Sequence, residues 1–371
     1  MAIGDISTLL VWGAATAFTI ALIAYTSALA RLADAASTEH RAERAARVAA
    51  AKQARAAARE TVGAGGPSGL VVPADADDDA AAAPRSGRID DAEPERPMTA
   101  PSATTGIART TTYLGILLLG AGIVLRGVAA GRWPTANMYE FTLVGTFVAA
   151  VVLAVVQRKR VIPFLGVVVM GIGVLALALG LLVFYVQADA VQPALQSYWL
   201  IIHVGVAIAA TGIFTVAFAT SVLQVLQDGR ETGRSHLDHP WRSADGLRRP
   251  LARWRVTGPA WSWLRTVPSA RRLEALSFRL NAIGFVLWTF TLIGGAIWAE
   301  HAWGRYWGWD PKEVGTFVAW VVYAAYLHAR TTRGWAGRKA AYFVYVGYAV
   351  VLANFTVVNL FVTGKHSYSG I

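Results

Sequence analysis

Long apolar windows recur along most of this chain. Eight of them come close to or exceed the roughly 20 residues a helix needs to cross a bilayer. They lie at 6–30, 110–130, 140–157, 161–186, 197–226, 277–299, 314–329 and 340–362. The pattern predicts an all-α, polytopic membrane protein with about eight transmembrane helices. The first window is too long and too poorly terminated for a cleaved signal peptide, so residues 1–30 read as an anchor helix. Residues 31–60 are rich in Ala, Arg and Glu and predict a helix. Residues 61–108 carry GAGGPSG, DADDDAAAAP and repeated Pro, a composition that cannot bury a core and predicts a disordered linker. The expected organisation is therefore an anchor (1–30), a basic cytoplasmic helix and linker (31–109) and a transmembrane domain (110–371).

Composition narrows the class. The chain has 371 residues, of which 55% are hydrophobic and 15% charged. Its mean hydropathy is +0.44. A soluble domain carries nearer a quarter charged residues, so a soluble multidomain enzyme is excluded as a description of the whole. The absence of cysteine removes disulfides, iron–sulfur clusters, thiolate zinc sites and cysteine nucleophiles within this polypeptide. The net charge of +11 raises the question of nucleic acid. Placing 31–109, 158–160, 227–275 and 330–339 on one side of the membrane gathers 28 of the 34 Lys and Arg there, with only Arg132, Arg305, Lys312 and Lys365 opposite. That asymmetry reads as positive-inside topology with both termini extracytoplasmic, and it accounts for the charge without nucleic acid.

The segments expected on the outer face are short and chemically unusual. Trp298, Trp303, Tyr306, Trp307 and Trp309 crowd into twelve residues and run into Asp310-Pro311-Lys312-Glu313. Interfacial aromatics alone need no such charged, proline-stiffened tail. Indoles present flat apolar faces that suit a large planar ligand. Asp310 and Pro311 suit the start of the following helix, and Lys312 faces either an acidic ligand group or Glu313. A planar, apolar, acid-bearing ligand suggests haem, which takes axial ligands such as histidine. Of seven histidines, His40, His236 and His239 fall in charged stretches. His203 enters one window near its outer end and His366 follows the last window on the same side, so the two bracket the indole loop. His328 lies near the inner end of window 314–329, where an ionisable residue is either functional or a snorkelling interface residue. His301 adjoins the loop as a competing ligand.

The run WGRYWGWDPKE at 303–313 resembles the tryptophan-rich "WWD" signature of haem-handling membrane proteins. More narrowly, the chain resembles the CcsA/ResC family of system II cytochrome c biogenesis, called CcsB in actinobacteria. Pro134 with Asn137-Met138-Tyr139-Glu140, Gln196-Ser197-Tyr198-Trp199-Leu200 with His203, Tyr326-Leu327-His328 with Arg330, and His366-Ser367-Tyr368 occur in the order that family shows. The resemblance implies a multi-pass plasma-membrane protein whose WWD loop (Trp303, Trp307, Trp309, Asp310) holds non-covalently bound haem b on the outer face. His203 and His366 are then the external axial pair, and His328 belongs to an inner membrane haem site. It also implies a ResB-type partner, an apocytochrome c with Cys-x-x-Cys-His, thiol-reducing proteins for that apocytochrome, and cytochrome c haem lyase activity of the complex. His301 matches no family ligand. A system I haem-delivery protein shares the loop, and a haem-independent transporter or scaffold is the reading from a different class.

Overall fold

The computed structural model describes residues 2–63, 103–188, 197–234, 246, 255–332 and 334–366, and among these it is all-helical. The helices are α1 (Ile3–Gly63), α2 (Ala103–Ala130), α3 (Met138–Val156), α4 (Pro163–Leu182), α5 (Tyr198–Glu231), α6 (Ala270–Trp303), α7 (Pro311–Thr332), α8 (Arg338–Phe355) and α9 (Val357–Phe361), with a 3₁₀ segment at Pro259–Thr266. The chain divides into two units, residues 1–37 with 102–371, and residues 38–101. In the second unit the described residues are helical to Gly63, as the composition of 31–60 predicts. The linker expected at 61–108 falls mostly outside the described residues. Its edges are helical at 61–63 and 103–108, so composition overstates it at both ends.

All eight apolar windows lie on helices. Seven helical stretches are long and apolar enough to cross a membrane: Ile3–Glu39, α2, α3, α4, α5, α6 and Arg338–Phe361. The eighth expected span is α7, whose 22 residues would extend about 33 Å. It falls short on hydropathy because Lys312, Glu313, His328 and Arg330 share it with Tyr323 and Tyr326.

Successive helices of the larger unit run in opposite directions. Ser7 near the start of α1 donates to the Gly122 carbonyl near the end of α2 (2.8 Å), and Tyr25 meets Gln157 at the end of α3 (3.1 Å). With no hydrophobic drive between helices in lipid, close approach depends on small residues and shape. Gly284 of α6 shows the rule: a Cβ there would lie 2.5 Å from the Phe214 ring of α5. Phe214 in turn stacks on Tyr323 of α7 at 4.0 Å between centroids. This alternation brings the N-termini of α3, α5 and α7 to the same end as the C-termini of α2, α4, α6 and α9.

Candidate functional site: a histidine-lined cavity at one end of the bundle

Three helix starts frame this end, each capped by its own sequence. Asn137 caps α3, its Oδ1 accepting from the Glu140 N–H (2.9 Å), while Glu140 Oε2 accepts from the Ala136 N–H (2.8 Å). Ser197 caps α5 through the Trp199 N–H (3.3 Å). Asp310 caps α7: Oδ2 accepts from the Lys312 N–H (3.1 Å), and Glu313 Oε2 reaches back to the N–H groups of Asp310 (3.0 Å) and Gly308 (2.8 Å). This is a capping box with proline at the first helical position. Glu140 also binds Arg126 (3.1 Å) and Arg132 (2.7 Å), and Arg126 donates to the Val186 carbonyl (2.6 Å). Arg126 and Glu140 are 2% and 0% exposed, so a buried charge cluster pins the 131–137 turn to α2 and to the segment that follows α4.

Between these helix starts lies a cleft with about 930 Å³ of non-atom space, part of it open to solvent. Its walls include Asn137, Phe141, His203, Trp288, Trp298, Lys312 and His366. The two histidines singled out by sequence therefore face one cavity, although 163 positions separate them. His203 Nδ1 lies 2.8 Å from the Thr291 carbonyl of α6, an atom that can only accept, so the Nδ1 proton is fixed and Nε2 is left for another partner. Gly295 makes that placement possible, since a Cβ there would sit 2.7 Å from His203 Cε1. His366 Nδ1 lies 2.7 Å from Asp310 Oδ2, which fixes the same tautomer. Both imidazoles pack near the buried Trp298 ring, at 6.2 Å and 5.6 Å between centroids, and Trp303 meets His366 edge-on at 5.0 Å. An acceptor behind Nδ1 that orients the ring and leaves Nε2 as a neutral donor is the arrangement of metal-bound histidines.

Asp310 is the hinge of this construction. Its Oδ1 accepts from the Lys365 N–H at 2.6 Å, so the short segment after α9 is strapped onto the cap of α7 and carries His366 into the cavity. Burial pushes the Asp310 carboxyl up, but the bond from His366, the charge that ring carries when protonated, and the Lys365 and Lys312 N–H groups outweigh burial and hold it at about 2. The carboxylate is thus ionised at every ordinary pH. Sequence placed Asp310 both in the loop expected to hold haem and at the start of the following helix; in the structure it caps α7 and accepts from His366 Nδ1.

The indole loop divides in two. Trp298 and Trp303 end α6 and lie beside the histidines. Trp307 and Trp309 turn away: they pack edge to face at 5.8 Å, Trp307 continues to Phe317 at 6.2 Å, and Phe317 stacks with Trp320 at 6.1 Å. Trp309 is 76% exposed and adopts φ 57°, the one non-glycine residue with positive φ among those described. These rings form an aromatic edge on α7 next to the cavity. His328 lies eighteen residues beyond Asp310 on the same helix, about 27 Å along its axis, and is exposed. The structure does not bring it to the other two histidines. His301 is half exposed, with Nδ1 against the Ile297 carbonyl (2.8 Å) and beside Glu300 (3.3 Å), and does not line the cavity. No cluster of three or more acidic, His or Cys ligands occurs among the described residues. The donor set is instead two histidines in a mainly apolar cleft that also carries Lys312 and the amides of Asn137, Asn354 and Asn359, which fits an iron held mainly by a macrocycle. Thr291 and the glycines behind His203 escape sequence reasoning because their roles exist only through α5–α6 packing. The Asp-x-x-Glu spacing did signal the cap, but nothing in it announces the tie to His366.

The cytochrome c assembly protein family model matches residues 135–366. The chain is 34% identical over 271 residues to the cytochrome c biogenesis protein CcsA of Parasynechococcus marenigrum, covering 72% of this chain and 87% of the relative. It is 34% identical over 270 residues to CcsA of Synechococcus sp. strain CC9902 (71% and 86%) and 30% identical over 271 residues to CcsA of Prochlorococcus marinus strain SARG (72% and 85%). The matched region runs from the turn before α3 to His366, and so takes in every wall of the cavity. With its helical, multi-pass architecture, this chain belongs to the CcsA/ResC family of cytochrome c biogenesis proteins.

Proposed function

We propose that this chain is the haem-presenting subunit of a system II cytochrome c synthase, and that the cavity holds haem b as substrate between His203 and His366. The observation that carries the proposal is the pair itself: two imidazoles in one cleft, each with Nδ1 committed to an acceptor and Nε2 left over. Positive-inside asymmetry supports placing the cavity on the extracytoplasmic face, with residues 110–371 as the haem-handling part. In this reading a ResB-type partner completes the complex and His328 contributes to an inner site on the haem's route. Trp298 and Trp303 wall the histidine pair, and Trp307 and Trp309 extend the apolar edge toward an arriving apocytochrome.

Haem supplies the iron that the histidines hold and the two vinyl groups that become thioethers. For each bond, a cysteine sulfur of the Cys-x-x-Cys-His segment adds to one vinyl carbon and the thiol proton ends on the other, with no net oxidation. Thiol-reducing proteins keep those cysteines reduced. The role of this chain's residues is orientation: Thr291 and Asp310 hold the rings in place, and the aromatic walls exclude water. The test is the absorption spectrum of the complex with and without His203→Ala and His366→Ala. Each substitution should weaken the reduced b-type spectrum and holocytochrome yield at unchanged protein level, with partial recovery on adding imidazole. A double variant that retains both would refute the assignment.

A further inference from the structure

Two imidazoles account for an iron, but they leave Lys312 unexplained. Among the described residues lining the cavity it is the only Lys or Arg. Its ammonium lies 2.6 Å from Asn359 Oδ1, a neutral acceptor, and it takes part in no ion pair among the described residues. The carboxylates beside it in sequence are committed: Glu313 to the N–H groups of Gly308 and Asp310, and Asp310 to His366 and the N–H groups of Lys365 and Lys312. Asn359 is held in turn, its Nδ2 donating to the Phe355 carbonyl at 2.7 Å, so Oδ1 is presented to the lysine by a fixed amide. Taking an ammonium out of water costs several kcal/mol unless an opposite charge meets it. A cleft that keeps one there, with two N–H donors beyond the bond to Asn359, is matched to an arriving anion.

We infer that Lys312, steadied by Asn359, is a carboxylate seat in the cavity wall, and that it takes one propionate of the haem held between His203 and His366. The inference rests on the haem reading above and adds to it a specificity element: the pocket selects porphyrins bearing free acid groups. The lysine lies two residues into α7, where the helix dipole adds to its charge. Asp310 acts on it only at Coulombic range, because both of its oxygens are occupied. The same seat would also accept a lipid carboxylate, and the experiment separates the two sources.

The purified complex is titrated with haem and with haem dimethyl ester, in which both propionates are masked, using wild type, Lys312→Gln, Lys312→Arg and Asn359→Leu. The wild type should bind haem at least about tenfold more tightly than the ester, the low end for one charge-assisted hydrogen bond. Lys312→Gln should bind both within about twofold of each other, and Lys312→Arg should keep the preference. Asn359→Leu, which leaves the charge but frees it, should keep a reduced preference. Equal wild-type binding of haem and ester, each with a bis-histidine spectrum, would overturn the carboxylate seat and leave the haem site standing. This comparison needs no variant to fold. Binding of neither would take down the haem reading itself. Displacement of the ester by palmitate in wild type, with no preference for haem, would assign the seat to lipid and refute the propionate form.

Discussion

Replacing Asp310 by Asn isolates one atom's worth of chemistry. The carboxylate accepts three hydrogen bonds, from the Lys312 N–H (3.1 Å) and His366 Nδ1 (2.7 Å) on Oδ2 and from the Lys365 N–H (2.6 Å) on Oδ1. An amide has one oxygen, so whichever way it is turned, at least one donor faces an NH₂. If the NH₂ faces Lys365, the strap is lost. If it faces His366, the imidazole can accept only by moving its proton to Nε2, the nitrogen needed for iron. Leaving a partly buried donor unmet costs about 1–3 kcal/mol. That lowers the docked and correctly protonated state of His366 by roughly five- to 150-fold. Linkage gives a ceiling of the same order: holding a carboxyl at about 2 against its ordinary 3.8 is worth at most about 2.5 kcal/mol, a ceiling because part of that depression comes from the charge of a protonated His366, which a neutral imidazole lacks. That contribution is full above about pH 4 and is lost as pH falls through about 2, so the native protein should keep its tail docked throughout the neutral range. In Asp310→Asn, the reduced spectrum should shift from six-coordinate low-spin toward five-coordinate, with recovery in imidazole, at normal abundance and normal α7 helicity. An unchanged low-spin spectrum, insensitive to imidazole, in both Asp310→Asn and Asp310→Ala would refute the orienting role.

Three further outcomes follow from the same geometry. Gly295→Ala would place a methyl 2.7 Å from His203 Cε1; with the ring held between Thr291 and Trp298 it should lose haem occupancy severalfold, read from the haem-to-protein ratio, while thermal unfolding falls by no more than the few degrees of an ordinary packing change. Trp307→Ala with Trp309→Ala should reduce holocytochrome yield more than they reduce axial ligation, because their rings lie outside the cavity, whereas Trp12→Ala or Trp335→Ala should affect abundance alone. Glu140→Gln removes the counter-charge that Arg126, 2% exposed, meets at 3.1 Å, and should lower abundance or melting temperature by an amount equivalent to about 3–5 kcal/mol, measured by thermal-shift assay in detergent.

Much of the fold was legible because a membrane reduces the problem to one dimension. A window near 20 apolar residues is a helix whatever it packs against, and each of the eight predicted windows lies on one. The exception in hydropathy, α7, carries candidate site residues at its N-terminal end, and Lys312 there lowers the apolar average that identifies a span. Of the site, His203 and His366 were legible through their position at window ends beside the indole run. The direction of each indole was not. Trp303 and Trp307 are four residues apart, which places them on one face of a continuous helix, but the chain leaves α6 at Gly304 and restarts at Pro311, so they diverge. Lys312 illustrates the same limit. Its neighbour Glu313 was an available partner in sequence, and only the capping box reveals that Glu313 is spent on backbone N–H groups.

The residues that end and start helices here are also those that shape the cavity, and the coupling has a physical reason. Within the bilayer every backbone group must be satisfied internally. At the membrane's edge the first N–H groups of α3, α5 and α7 need acceptors; Asn137 and Asp310 supply them for α3 and α7, while Glu140 and Glu313 take the N–H groups just before each helix. A carboxylate already fixed by two backbone donors has almost no freedom left, which makes it a rigid base on which to orient an imidazole. Asp310 therefore orients His366 at little further entropic cost. By contrast, His203 is oriented by a backbone carbonyl on a packed helix, which side-chain substitution cannot remove. The two histidines should accordingly differ in robustness as proposed haem ligands: changes in the 304–313 loop act on His366 and leave His203 in place. Variants there should retain a five-coordinate haem that His203→Ala in the same background abolishes, and spectra of Asp310→Asn with and without His203→Ala measure that order directly. Equal loss of both ligands from loop variants alone would mean that the two histidines are positioned by one element and not by two.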